Sequence, residues 1–187
     1  MIHSVKFTCV LDTNVIYPIE VRDVLFWFAH YELYTPKWSV HIFDEWRDVM
    51  ARKGVAEASI LKRIEDANKA FPDALVKNYE PLIESLDLRD PKDRHVLAAA
   101  IKANADIIVT NNLKDFPAEI LEIYGMGAKS ADDFLTDIID LNQDTAVEAF
   151  RKLVMFRRNP DLDEYQVLDA LRKNQLKETA DFLHALL

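Results

Sequence analysis

Residues 90–116, DPKDRHVLAAAIKANADIIVTNNLKDF, constrain the fold more than any other part of the chain. Asp90 can cap a helix whose first position is Pro91, where a missing N–H costs nothing. The apolar residues that follow recur at helical spacing, and Ile107–Val109 is a β-branched run that suits a strand buried on both faces. A helix leading into a buried strand predicts an α/β fold with a parallel sheet. Polar residues follow this strand at the edge where open α/β sheets bind ligands.

The rest of the chain divides into two kinds of sequence. Before residue 130, short apolar strands alternate with helical patterns, beginning with a predicted strand over residues 6–11. After residue 130, the pattern is helical only, and it predicts a C-terminal helical extension. We therefore expect an α/β domain over residues 1–134 and a helical extension over residues 135–187 that packs on it.

Composition and charge limit the class of protein. Half of the residues are apolar and only three are glycine, which favours a helix-rich globular fold. The net charge of −9 opposes binding of nucleic acid by bulk electrostatics, so such binding would need a local basic patch or metal ions. Cys9 is the only cysteine, no apolar run is long enough to span a membrane, and the first residues lack a secretory pattern. We expect a soluble, cytoplasmic protein.

Four acidic residues have comparable positions in this pattern. Asp12 and Asp115 follow predicted strands, Asp93 lies at the start of a predicted helix, and Glu45 borders the apolar face of a helix predicted over residues 39–53. Each has an ordinary structural explanation, since Asp is common in turns and at helix starts. If the four meet at one sheet edge, however, their carboxylates repel unless cations lie between them.

Oxygen ligands select hard cations, so the expected cofactor is Mg²⁺ or Mn²⁺, as one or two ions. Such ions suit phosphoryl chemistry. Neighbouring polar residues can orient the carboxylates or water, and these are Asn14, Ser39, Thr110 and Asn112. Zinc ligation is disfavoured by the single cysteine and the scattered histidines, and the sequence contains no nucleotide-binding glycine motif or nucleophile elbow.

Four segments, in this order, resemble the PIN domain: LDTNV, WSVHIFDEW, DPKDRHVLAAA and ADIIVTNNLKDF. The resemblance covers roughly residues 6–134 and is closest to the VapC-like toxin ribonucleases and related bacterial PIN proteins. It implies a three-layer α/β/α sandwich with a central parallel sheet and an Mg²⁺- or Mn²⁺-dependent ribonuclease activity. The acids that the family uses for catalysis and metal binding match Asp12, Glu45, Asp93 and Asp115. Asp90 is interpreted as the helix cap.

The resemblance predicts an endoribonuclease, the toxin of a type II toxin–antitoxin pair, with RNA as substrate and an antitoxin as partner. A housekeeping PIN nuclease without an antitoxin is one alternative. A non-catalytic α/β interaction module, in which the acids are caps and turn residues, is another. The sequence leaves the RNA target and the oligomeric state open, including a homodimer.

The densest basic cluster lies in the helical extension and comprises Arg151, Lys152, Arg157 and Arg158. We expect these residues to contact RNA phosphates or an acidic segment of an antitoxin. A solvated helix face is the simpler alternative.

Overall fold

The computed structural model describes residues 6–187, which form two compact units. The first unit comprises residues 6–17 and 35–129, and the second comprises residues 18–34 and 130–187. The chain therefore enters the second unit once near its start and returns to it after residue 129. The predicted boundary after residue 134 stays a prediction, and the first five residues of the predicted domain lie outside the described part.

A four-stranded parallel sheet forms the centre of the first unit. Its strands are β1 (Thr8–Leu11), β2 (Thr35–Lys37), β3 (Ile107–Val109) and β4 (Gly127–Lys129), in the order β2-β1-β3-β4. Cys9 pairs with Pro36 on one side and with Ile107 on the other. Cys9, Val10 and Leu11 of β1 and Ile108 and Val109 of β3 are buried, as expected for strands covered on both faces. The predicted α/β fold with a parallel sheet is confirmed.

The helices follow in chain order. They are α1 (Thr13–Ile16), α2 (Ile19–His30), α3 (Val40–Arg52), α4 (Glu57–Ala70), α5 (Glu80–Ile83), α6 (Arg94–Lys102), α7 (Ala118–Leu121), α8 (Ala131–Leu141), α9 (Gln143–Phe156), α10 (Glu164–Lys173) and α11 (Lys177–Leu186). Short 3₁₀ turns span Pro91–Asp93, Leu113–Asp115 and Glu122–Tyr124.

Local capping residues mark the start of α3, the turn before α6 and the end of α6. The Ser39 hydroxyl accepts a hydrogen bond from the Ile42 N–H at 3.2 Å and starts α3 at Val40. The Asp90 carboxylate accepts from the Lys92 N–H at 2.9 Å, so its predicted role as a cap is confirmed. It caps a 3₁₀ turn that precedes α6, and Asp93 lies in that turn rather than in an α-helix. Asn104, with φ of 48°, takes the left-handed conformation just after α6.

The second unit is a helical assembly with its own core. Phe28, Phe134 and Phe150 are among its fully buried side chains. Tyr34 packs edge-on against Phe134 with ring centroids 4.9 Å apart, and its hydroxyl donates to the Leu25 carbonyl at 2.8 Å. Within residues 6–187, no helix combines the length and apolar character needed to cross a bilayer.

Candidate functional site

Asp12 lies where β1 ends and is held by three hydrogen bonds. Its Oδ1 accepts from the Thr13 N–H at 2.7 Å, and its Oδ2 accepts from Asn14 Nδ2 at 2.6 Å and from the Thr110 hydroxyl at 2.8 Å. Thr110 follows β3, the neighbour of β1, so parallel pairing brings the two strand ends together. Burial raises the pKa of Asp12, although the hydrogen bonds from Thr110 and Thr13 oppose this rise.

Amide side chains connect the loops that follow these two strands. Asn14 Nδ2 lies 2.9 Å from the Thr110 hydroxyl oxygen, and Asn14 Oδ1 accepts from the Asn111 N–H at 2.9 Å. Asn112 Nδ2 donates to Asp115 Oδ2 at 2.5 Å. The structure thus places Asn14, Thr110 and Asn112 against the predicted acids Asp12 and Asp115.

Glu45 projects from α3, and each of its carboxylate oxygens has a different partner. The Thr13 hydroxyl lies 2.7 Å from Oε2, and His95 Nε2 lies 3.0 Å from Oε1. Burial alone would raise the pKa of Glu45, but the hydrogen bonds from His95 and Thr13 outweigh it and leave the pKa below its ordinary value. Glu45 is therefore held as an ionised carboxylate in a fixed orientation.

Asp93 lies close to several other negatively charged carboxylates. Burial, followed by the negative charges of Asp12, Asp90 and Asp115, raises the pKa of Asp93 to about 6. Its Oδ2 is buried and has no hydrogen-bond partner among the described residues. A group that is partly desolvated, surrounded by like charges and unpaired favours an added positive charge nearby.

Asp93 also belongs to a group of acids that could share an ion. One carboxylate oxygen from each of Asp90, Asp93 and Asp115 lies within 4.8 Å of the others. Asp90, interpreted from the sequence as a cap only, therefore also contributes a carboxylate to this group.

A cleft of about 670 Å³ opens over three of the predicted acids. The residues that line it are Asp12, Thr13, Asn14, Tyr17, Glu45, Asp48, Val49, Arg52, Lys92, Asp93 and Asn112. Asp115 does not line this cleft but joins Asp93 in the group of acids just described. Ser39 is fully buried at the start of α3, where it caps the helix that carries Glu45.

Sequence reasoning missed Thr13, His95 and His41. His95 contacts Glu45, and the ring of His41 lies 5.3 Å from that of His95. His41 Nδ1 lies 2.5 Å from the Tyr79 hydroxyl. One signal was available, since His95 stands two residues after Asp93 at the start of an otherwise apolar helical face.

The predicted basic cluster lies in the second unit. Arg157 Nη2 is 3.3 Å from Glu20 Oε1, and Arg151 Nε is 3.5 Å from Glu164 Oε1. Arg158 is exposed and Lys152 is half-buried. Contact of this cluster with RNA or an antitoxin stays a prediction.

Comparison with known proteins agrees with the α/β fold. Residues 8–114, more than half of the chain, match the family model of the PIN domain, and the chain belongs to the PIN domain family. Residues 131–185 match a second family model, the VapC50 C-terminal domain.

A curated relative is similar in part. A protein of Mycobacterium tuberculosis (strain ATCC 25618 / H37Rv) with the printed name "Putative ribonuclease VapC50" is 39% identical over 98 residues. The alignment covers 52% of this chain and 57% of that protein, so the chain spans little more than half of its relative's length. No solved structure matches the chain. The predicted resemblance to the PIN domain and to VapC-like proteins is confirmed.

Proposed function

We propose that this chain is an endoribonuclease that hydrolyses RNA phosphodiesters with the help of Mg²⁺ or Mn²⁺. The observation that carries the proposal is Asp93, whose buried Oδ2 has no partner among the described residues and whose pKa is raised to about 6. A carboxylate with only a structural role in a turn does not need a buried, unpartnered oxygen or a raised pKa. Membership of the PIN domain family and the printed name of the relative support the same reaction class.

The residues present fit a hard divalent cation. Asp12, Glu45, Asp93 and Asp115 offer only oxygen donors, as Mg²⁺ and Mn²⁺ prefer, and Asp90 extends the set. We propose that these acids hold one or two ions. When bound, such an ion acts as a Lewis acid on a phosphate and lowers the pKa of water.

The protein's own residues supply orientation and charge. Thr110 and Asn14 both hydrogen-bond Oδ2 of Asp12. Thr13 and His95 each contact one carboxylate oxygen of Glu45. These acids are therefore arranged before any substrate arrives, which removes the cost of ordering them during the reaction. Asp93 gives up its proton readily when positive charge is placed beside it.

We propose further that the nuclease is the toxin of a type II pair and that it acts in the cytoplasm. Support comes from the match of residues 131–185 to the VapC50 C-terminal domain and from the relative's name. An antitoxin partner would keep such an enzyme inactive. The basic cluster Arg151, Lys152, Arg157 and Arg158 is a proposed contact for RNA or for this partner. A housekeeping nuclease without an antitoxin would carry out the same reaction. A neighbouring gene for a small DNA-binding protein would favour the toxin over this alternative.

Cleavage of a mixed RNA pool tests the proposal. We expect cleavage with Mn²⁺ and none with EDTA. Glu45→Gln should abolish cleavage and leave the fold intact, because side-chain volume is preserved and repulsion is relieved. Asp44→Asn, at the exposed neighbour of Glu45 on α3, is the matched control and should cleave normally. Intact RNA with the wild type and Mn²⁺, or wild-type cleavage by Glu45→Gln, would overturn the proposal.

A further inference from the structure

The acidic cleft also contains three residues that the proposed metal site does not use. We infer that Arg52, Lys92 and Tyr17, here called the rim residues, bind single-stranded RNA across the cleft. This inference rests on the proposed function and deepens it, since it names the residues that hold the substrate.

Arg52 is placed by the same helix that carries Glu45. Seven positions separate the two residues on α3, which is about two turns or 10 Å, so they lie on one face. Asp48 and Val49 lie between them on this face and line the same cleft. Arg52 is exposed and forms an ion pair with none of the described acids. Its guanidinium is therefore available for a phosphate next to the one at the acids.

Lys92 places a second cation beside the acids. It lies in the turn Pro91–Asp93, directly before Asp93 in the chain, and its side chain is exposed. Within the described part of the chain it too forms no ion pair. Arg157 and Arg151 of the basic cluster, by contrast, each face a glutamate at 3.3 Å and 3.5 Å.

The charge of the cleft explains why these two cations matter. Four acids line the cleft, namely Asp12, Glu45, Asp48 and Asp93, against the two cations Arg52 and Lys92. With every group ionised, the lining carries a charge of −2, which repels a polyanion. One divalent ion would cancel this charge and two would make it positive, and the rim cations would then hold the flanking phosphates.

Tyr17 distinguishes RNA from an acidic peptide as the occupant. It is an aromatic residue, half-buried at the end of α1, and it lines the cleft. Unpaired RNA bases stack on aromatic rings, whereas acidic peptide side chains have no aromatic ring to stack. Two cations and one aromatic residue beside the proposed metal site match the phosphates and unpaired bases of single-stranded RNA.

Binding of a fluorescent single-stranded RNA across a salt series tests the inference. Glu45→Gln protein with Mn²⁺ keeps the RNA intact during the measurement. Adding Arg52→Ala and Lys92→Ala should reduce the slope of log affinity against log salt by about 1.4, at about 0.7 for each lost phosphate contact. The matched control is Arg47→Ala with Lys102→Ala, two exposed cations outside the cleft, which should leave the slope unchanged.

Tyr17 needs its own pair of variants because the ring is half-buried. Tyr17→Ala should weaken binding by roughly 5- to 140-fold at every salt concentration without changing the slope. Tyr17→Phe keeps the ring and should bind as tightly as the parent. In cleavage assays with otherwise wild-type protein, the rim variants should raise KM more than they lower kcat, and Mn²⁺ affinity should stay the same.

The possible failures are distinguishable. If the wild type cleaves RNA but the Arg52/Lys92 variant keeps the parental salt slope, the inference is wrong and the proposed function stands. If the variant binds RNA normally but loses binding to poly-glutamate, the rim serves an acidic peptide, and the inference is again overturned. If the wild type shows no Mn²⁺-dependent cleavage at all, the proposed function itself fails.

Discussion

His95 Nε2 lies 3.0 Å from Glu45 Oε1, while the Thr13 hydroxyl lies 2.7 Å from the other oxygen of the same carboxylate. With Glu45 ionised, Nε2 must carry the hydrogen and donate it. The His95 side chain is largely buried, with its ring beside that of His41. Thr13 follows β1 and His95 lies in the first turn of α6, so two separate elements determine the orientation of a side chain on α3.

We predict that His95 and Thr13 are positioning residues for the proposed metal site. Thr13→Val removes the hydroxyl at constant shape and should weaken Mn²⁺ binding by about 10- to 100-fold, the usual effect of losing such a support. Thr13→Ser keeps the hydroxyl and should bind normally. His95→Ala should weaken Mn²⁺ binding to a similar extent. Calorimetric titration measures all three, and equal affinity for Thr13→Val and the wild type would show that the contact has no such role.

Metal binding should be visible as thermal stabilisation. At Mn²⁺ concentrations 100 times the dissociation constant, the folded state gains about 2.7 kcal/mol. For a domain of this size this corresponds to a rise in Tm of about 5–10 °C. Asp93→Asn should blunt the rise because it removes a charged donor from the group. An unchanged melting curve at millimolar Mn²⁺ would argue against a metal site and favour the non-catalytic module.

The pH dependence of the metal-free protein follows from Asp93. Its pKa is raised from 3.8 to about 6, so between these values the folded protein holds a proton that the unfolded chain has released. Stability should therefore fall as pH rises through this window and stay low above it. Because Asp93 is partly exposed, we expect an effect of about 1 kcal/mol or less.

The test is melting in EDTA at several pH values. Asp93→Asn should match the wild type near pH 4 and exceed its Tm at pH 7.5, by no more than about 4 °C. Asp44→Asn, on the exposed side of α3, should show no such pH-dependent difference. Equal Tm of Asp93→Asn and wild type at both pH values would contradict the raised pKa.

The second unit contains a carboxylate that caps a neighbouring helix. Asp132 on α8 accepts from the Thr179 N–H at 2.8 Å, from the Thr179 hydroxyl at 2.6 Å and from the Glu178 N–H at 3.0 Å. Leu176, at the N-cap position of α11, offers no side-chain hydrogen bond, so Asp132 satisfies these N–H groups instead.

Asp132→Ala should therefore lower the free energy of unfolding by about 1–2 kcal/mol, as loss of an N-cap does. Asp140→Ala changes an exposed acid on the same helix and should have little effect. Chemical denaturation measures both variants. If Asp132→Ala unfolds at the same denaturant midpoint as the wild type, water replaces the carboxylate without loss of stability.

The sequence alone determined the class of fold and the main elements around the site. Two buried strands, each followed by polar residues, together with a capped helix carrying an acid, were sufficient to predict a parallel sheet with carboxylates at its edge. This works because burial periodicity and capping are local properties of the chain. The order of the motifs then indicated the PIN domain, which the family match confirmed.

Only the tertiary structure decided which side chains support those carboxylates. The contacts of Glu45 with Thr13 and His95 join residues 32 and 50 positions apart, and Thr110 reaches Asp12 across 98 positions. No local pattern encodes such pairs, because they depend on how strands and helices are packed. The raised pKa of Asp93 also depends on tertiary structure, because burial and the neighbouring charges come together only in the folded protein. Arg52 and Lys92 likewise line one cleft with the acids only because the fold places them there.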